Sequence, residues 1–209
     1  MNLLDIHTHQ ENRTTGEAII CKLPSQLEIQ PGNWYAVGIH PWEVAHASEN
    51  DFADLAAKST NNQILAIGET GYDRTKDNIS LQNKFFGIHI HLADEINKPV
   101  IIHAVRANDL LLSATKRLKP KIPLIVHGFR GKQESAMQLL KAGFYLSFGE
   151  KYNVETLRQV PLDRLFLETD ESLLDIHHIY NKVAQDLKLD VSELEEIVGN
   201  NIQRIFFPR

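Results

Sequence analysis

Short unbroken apolar runs recur along the chain at a fairly even spacing: "NLLDI", "EAIICKL", "WYAVGI", "QILAIG", "PVIIHA", "PLIVHG", "GFYLSF" and "DRLFLET". They are rich in Val, Ile, Leu and aromatic residues and do not alternate with polar ones, the pattern of strands covered on both faces. Between most of them the apolar spacing turns helical, over Asp51–Ser59, Leu81–Asn97, Asn108–Leu118, Gln133–Ala142 and Val154–Val160. Two further helices are expected after the last run, over Leu174–Leu187 and Ser192–Phe206. Strand–helix alternation implies right-handed crossovers and a parallel sheet. Eight strands fit an α/β fold of the (β/α)8 TIM-barrel type better than an open sheet, at the lower limit of length for a barrel. Only about ten residues separate "DIHTHQ" from "EAIICKL", fewer than the roughly twelve a crossover helix needs. The barrel is therefore expected to be irregular and shortened near the N-terminus.

Composition narrows the class. The chain has 209 residues, of which 43% are hydrophobic and 23% charged, with a formal net charge of -5. That length suits one domain spanning 1–209 with a sizeable core. The acidic balance argues against a generally sticky nucleic-acid binder and leaves room for a local basic site. Cys21 is the sole cysteine, so no disulfide framework exists and a reducing compartment fits. No apolar run approaches the roughly 20 residues that cross a bilayer, and "MNLLDIHTH" meets charge too early for a signal peptide. A cytoplasmic enzyme or binding protein, with no membrane association and no obligate protein partner, is the expectation.

The ten histidines include two His-x-His pairs, "DIHTHQ" and "GIHIHL". On a strand, residues i and i+2 point the same way, so His7 and His9 can address one point. On a helix two residues lie roughly 200° apart. His89 and His91 fall inside a helical stretch, face different ways and read as packing or surface histidines.

Other strands end in a single ligand-type side chain: "ILAIGE" at Glu69, "PVIIH" at His103, "PLIVH" at His127 and "RLFLETD" at Asp170. In a parallel barrel all C-terminal strand ends meet at one face, where active sites are built. One buried His or Asp at a strand end is commonplace. Four imidazoles and two carboxylates at one mouth are not, and without thiolate they suit Zn²⁺, Mn²⁺ or Mg²⁺. Six ligands exceed what one tetrahedral ion needs. Two ions sharing a carboxylate fit better, and such pairs activate water for hydrolysis.

The ordered set "DIHTH", "VGIHPW", "AIGETGYD", "KPVIIHAVRA", "IVHGFRG", "GFYLSFG" and "PLDRLFLETDES" resembles the TatD family of metal-dependent hydrolases, and "NNIQRIFF" resembles its closing helix. The resemblance implies a distorted TIM barrel and two-metal phosphodiesterase chemistry. It implies a DNase, often a 3′→5′ exonuclease preferring single strands, with a single-stranded DNA end as substrate. Carried onto this chain, one divalent metal ion would be held by His7, His9, Glu69 and Asp170. The second would be held by Glu69, His103 and His127, with Glu69 bridging and Asp170 orienting or deprotonating the attacking water; Asp170 and Glu69 are thus the catalytic candidates. This chain departs in the trimmed stretch after His-x-His, in "ETDES" where the family often has a small residue and proline, and in a shorter segment beyond the last strand.

Further residues crowd the same mouth. Arg130, Gly131 and Lys132 open a helix after the His127 strand and make a candidate phosphate cradle, with a solvated loop arginine as the plainer reading of Arg130. His40 ends its strand and is a candidate substrate contact. Arg106 and Arg74 follow strand ends as substrate contacts or surface charge. Asp5 and Glu168 each stand two residues before a ligand candidate, as its support or as core salt bridges. His177 and His178 read as exposed helix-start residues. No Gly-x-Ser-x-Gly occurs, and Cys21 has no catalytic partner in sequence. The leading expectation is a metal-dependent nuclease acting on DNA or RNA from an end. Its rivals are a hydrolase of a small amide, lactone or phosphoester, and a metal-binding scaffold without catalysis.

Overall fold

A computed structural model describes residues 3–208; Asn2, at the head of the first apolar run, lies outside them. Eight strands form one sheet in chain order: β1 (Asp5–Thr8), β2 (Ala18–Lys22), β3 (Trp34–Val37), β4 (Ile64–Asp73), β5 (Val100–Val105), β6 (Leu124–Val126), β7 (Tyr145–Phe148) and β8 (Leu165–Leu167). Every neighbouring pair from β1 to β8 is parallel. Strand residues from Ile6 to Leu167 share one buried core, as continuous apolar runs require when both faces are covered.

The seam between β1 and β8 closes the barrel beyond the end of β8. Asp170 N–H donates to the His7 carbonyl at 2.9 Å, and His9 N–H donates to the Asp170 carbonyl at 3.1 Å. Asp5 bolts the seam from inside: its carboxylate accepts from Thr169 Oγ1 at 2.6 Å and from the N–H groups of Thr169 and His7 at 3.1 Å. Those donors replace the salt bridge that was one reading of Asp5. Burial pushes the Asp5 carboxyl up to about 7 against the pull of these hydrogen bonds.

The helices are α1 (Glu49–Ser59), α2 (Ile79–Ile96), α3 (Asn108–Leu118), α4 (Gln133–Lys141), α5 (Val154–Leu157), α6 (Ile176–Leu187) and α7 (Val191–Phe206). As the short spacing implied, no helix joins β1 to β2, and a single 3-10 turn at Pro24–Gln26 serves between β2 and β3. The helix expected over Val154–Val160 is one turn, since Pro161 disfavours helical backbone at the residue before it. A second correction matters more. β4 does not end at Glu69 but runs on to Asp73, paired to β5 through Gly71↔His103 and Asp73↔Val105. Two glycines permit this close approach. A Cβ at Gly68 would lie 2.6 Å from the Ile101 carbonyl oxygen and one at Gly71 2.1 Å from that of His103, and both have positive φ. Glu69 therefore sits mid-strand between them.

The two histidines of α2 part company as their spacing demands. His91 is 78% exposed, 3.3 Å from Glu95. His89 is fully buried; its Nδ1 lies 2.7 Å from the Phe85 carbonyl oxygen and its Nε2 accepts the Ile39 N–H at 2.9 Å. Burial lowers its pKa to about 4, so the ring is neutral. His91→Ala should be silent in urea unfolding. His89→Ala should cost about 2–4 kcal/mol, through the orphaned Ile39 N–H and a cavity. Because the unfolded ring protonates near 6.5 and the folded one near 4, wild type loses stability as pH falls through that window. The gap between wild type and His89→Ala should shrink over the same range; a constant gap would refute the neutral buried ring.

Candidate metal centre

The six side chains marked by sequence converge at the C-terminal mouth. Glu69 lies at their middle with its two oxygens facing opposite sets. Oε2 is 3.6 Å from His7 Nε2 and 3.3 Å from His9 Nε2, and Asp170 Oδ1 completes that side at 3.4 and 3.8 Å from the same nitrogens. Oε1 is 2.9 Å from His103 Nδ1, 2.7 Å from His127 Nε2 and 3.2 Å from His40 Nε2. Ligand atoms about 2.1 Å from a tetrahedral ion are spaced about 3.4 Å apart, which is the spacing of the first set. Within it, His7 Nε2 is wholly buried with no hydrogen-bond partner among the described residues, a costly state unless a cation takes the lone pair. The donor set therefore fits a divalent ion.

Local structure aims each donor. His7 lies on β1 and His9 just past it, so the strand period points both inward. His127 follows β6; its Nδ1 is 3.2 Å from Glu168 Oε1, which also accepts the Gly128 N–H at 2.6 Å. Glu168 thus orients His127, one of the two roles its position suggested. Asp170 holds a left-handed backbone, φ 55°, that aspartate tolerates better than most residues.

Charge in the centre is unbalanced toward acid. Although burial lowers it, Glu69 and Glu168 raise the His127 ring well above its ordinary value. Glu69, against burial, also raises His9. Burial works to raise Asp170, yet the contact with His7 and the charges of His7 and His127 bring it to about 2. Burial likewise opposes ionisation of Glu69, and the histidines around it hold it well below the usual range. Without an ion, ring protons balance these carboxylates; divalent cations would replace them.

Three partners escaped the sequence reading. Asp73 Oδ2 lies 3.3 Å from His103 Nε2 and accepts the Trp42 indole N–H at 2.6 Å. Its even spacing from Glu69 along an extended run was the available signal. Cys21 Sγ lies 2.9 Å from His7 Nδ1, with its thiol pushed up by burial and neighbouring carboxylates and so kept neutral. The Trp42 backbone N–H donates to His40 Nδ1 at 3.1 Å, so a neutral His40 ring carries its proton on Nε2. His40 belongs to a His–Glu–His group able to hold a cation, but in this tautomer it is a donor.

The centre opens into a cavity of about 930 Å³ whose wall includes Arg106, Arg130, Gly131 and Ser135, the last two flanking the start of α4. Arg106 sits on this wall with φ 51°. Arg74 is spent elsewhere, paired to both oxygens of Asp109 at 2.6 and 2.8 Å. His177 lies outside the centre, half exposed near Glu17 and Glu195, and His178 is exposed beside it. After β8, Arg13 donates to the carbonyls of Ser172 and Leu174 at 2.7 and 2.9 Å.

Comparison with known families decides the class, for the model of the TatD related DNase family matches residues 17–207. The chain belongs to the TatD family. His7 and His9 precede the matched stretch, so their membership of the centre rests on geometry. This TatD-family chain is 30% identical over 194 residues to the metal-dependent hydrolase YabD of Bacillus subtilis, covering 82% of this chain and 76% of YabD. It is 29% identical over 203 residues to the 3′-5′ ssDNA/RNA exonuclease TatD of Musicola paradisiaca, covering 83% and 76%. Its fold matches the TatD homologue YjjV of Escherichia coli K12 with a TM-score of 0.83 over 98% of both chains, at 19% identity. A TatD-family protein from Entamoeba histolytica matches with a TM-score of 0.79 over 100% and 99% of the two chains, at 16% identity. The expected TIM-type barrel is the observed one, and the chain is a TatD-family metal-dependent hydrolase. No helix among the described residues is long and apolar enough to cross a membrane.

Proposed function

We propose that this TatD-family hydrolase cleaves phosphodiester bonds of single-stranded nucleic acid, DNA foremost, from a 3′ end. The carrying observation is the split of Glu69, one oxygen toward His7, His9 and Asp170 and the other toward His103 and His127. That division supports two divalent ions sharing one carboxylate. In such a site the ions supply charge stabilisation and acidify water.

The protein's own groups then have distinct tasks. Asp170, ionised and aimed into the mouth, takes the proton of the attacking water. His40 Nε2–H donates to a phosphate oxygen, since its Nδ1 is engaged by the Trp42 backbone. Arg130 and the first N–H groups of α4 bind a neighbouring phosphate, with Arg106 on the same wall. Glu168 and Asp73 hold the rings of His127 and His103 in register. The exonuclease name carried by the Musicola paradisiaca relative supports this reading.

The experiment is release of mononucleotides from 5′-labelled single-stranded DNA by protein loaded with Mn²⁺ or Mg²⁺, against bis(p-nitrophenyl) phosphate as a base-free diester. Stepwise shortening from the 3′ end is expected. Hydrolysis of the small diester alone would leave a small-phosphoester hydrolase in its place. Arg130→Ala should weaken oligonucleotide binding and reduce the log–log salt slope by about 0.7, the share of one neutralised phosphate on a single strand. An unchanged slope would return Arg130 to a solvated loop.

A further inference from the structure

Trp42 is the anomaly of the mouth. A tryptophan is usually well covered, yet Trp42 is 49% exposed and borders the cavity. It is not loose. Its indole N–H is fixed to Asp73 Oδ2, and its ring meets His40 edge-to-face at 5.0 Å between centroids. The loop beneath is anchored: Ile39 and Val44 are buried against Phe85 of α2, and His89 takes the Ile39 N–H. Three constraints hold a large aromatic surface toward solvent beside the candidate centre, 6.2 Å from the His103 ring.

We propose that Trp42 is the stacking platform for a nucleobase adjoining the scissile phosphate, which rests on the nucleic-acid reading above. A phosphate at His40 and His103 would place the attached base one sugar away, within reach of the indole. A ring immobilised in advance loses little freedom on binding, and stacking tolerates any base because every base has a π-face. The ammonium of exposed Lys76 lies 4.9 Å from the indole centroid. A lone cation on an exposed ring is held more weakly than a stacked base, so the base displaces it.

The test compares three substrates on Mn²⁺-loaded protein: a single-stranded oligothymidylate, the same strand with abasic sites in its last two 3′ positions, and bis(p-nitrophenyl) phosphate. Trp42→Ala should lower kcat/KM on the oligothymidylate by about tenfold or more beyond its effect on the abasic strand, any loss through the indole's hold on Asp73 being common to both. Trp42→Phe, which keeps a π-face but not the N–H, should share any loss common to the substrates and hold the ratio of oligothymidylate to abasic-strand activity near the wild-type value. A separate readout avoids turnover: in a Trp34→Phe background, thymidine 5′-monophosphate should quench Trp42 emission saturably. Equal losses on all three substrates would overturn the platform and make Trp42 a support for Asp73 and His103. Unchanged oligothymidylate kinetics in Trp42→Ala would overturn it while the nuclease reading stood. Wild-type hydrolysis of the small diester alone would overturn both.

Discussion

Replacing Glu69 by glutamine should cost the protein at least one of two metal ions and nearly all turnover. The buried carboxylate contacts His9, His103 and His127 within 3.3 Å through its two oxygens. An amide offers one oxygen and one N–H₂, so whichever way it turns, one histidine set faces a donor instead of an acceptor. Removing a partner outside the ligand set already costs about 10–100-fold in metal affinity or activity; removing the shared ligand should exceed that. Metal analysis of dialysed protein should show two ions per chain in wild type and at most one in Glu69→Gln. Wild type that saturates at one ion would disprove the bridging role. Equal metal content in the two proteins would do the same.

Asp170→Asn should separate chemistry from metal binding. The asparagine oxygen can occupy the same position, and the backbone seam with His7 and His9 is untouched. What disappears is a negative charge and the ability to take a proton, typically about 10²–10⁴ in rate. The ion on the His103 and His127 side should remain. The pH profile supplies a second check. The Asp170 carboxyl titrates near 2, so it stays ionised across the working range and does not set the acid limb. His9 and His127, both raised by Glu69 against burial, set it instead, because ring protons compete with the cation. Activity should therefore fall as pH drops through their titration, and more metal should move that limb to lower pH. At saturating metal Asp170→Asn should scale the profile down and move its acid limb to lower pH, because the Asp170 charge helps to raise His9 and is coupled to His127. Near wild-type turnover in the variant would exclude Asp170 as the proton acceptor and turn attention to Glu171 on the same rim.

The chain's own order of residues determined the barrel and the roll of its central donors. Doubly covered strands must be continuously apolar, so eight such runs alternating with helical spacing specified a parallel sheet before any contact was known. Once the sheet is parallel, topology alone sends the ends of β1, β6 and β8 to one mouth with His7, His9, His127 and Asp170. Strand and helix periods likewise separated His7 and His9 from His89 and His91, because two residues mean one face on a strand and opposed faces on a helix. Membership of the TatD family was legible in the same motifs.

Tertiary structure decided everything that depends on distance across strands. That β4 outruns Glu69 follows from its pairing with β5 and from two glycines that let the backbones meet. The division of Glu69 between two histidine sets depends on how the closed barrel turns one carboxylate among five strands. Arg74 and Arg106 look alike in sequence, each just after a strand, yet Asp109 on α3 claims one and leaves the other on the cavity wall. Cys21, Asp73 and Trp42 gained their partners only when β2, β4 and the loop after β3 came beside β1 and β5. Periodicity fixes which way a side chain leaves its own strand; what it meets there is set by closure, twist and the neighbours that closure brings.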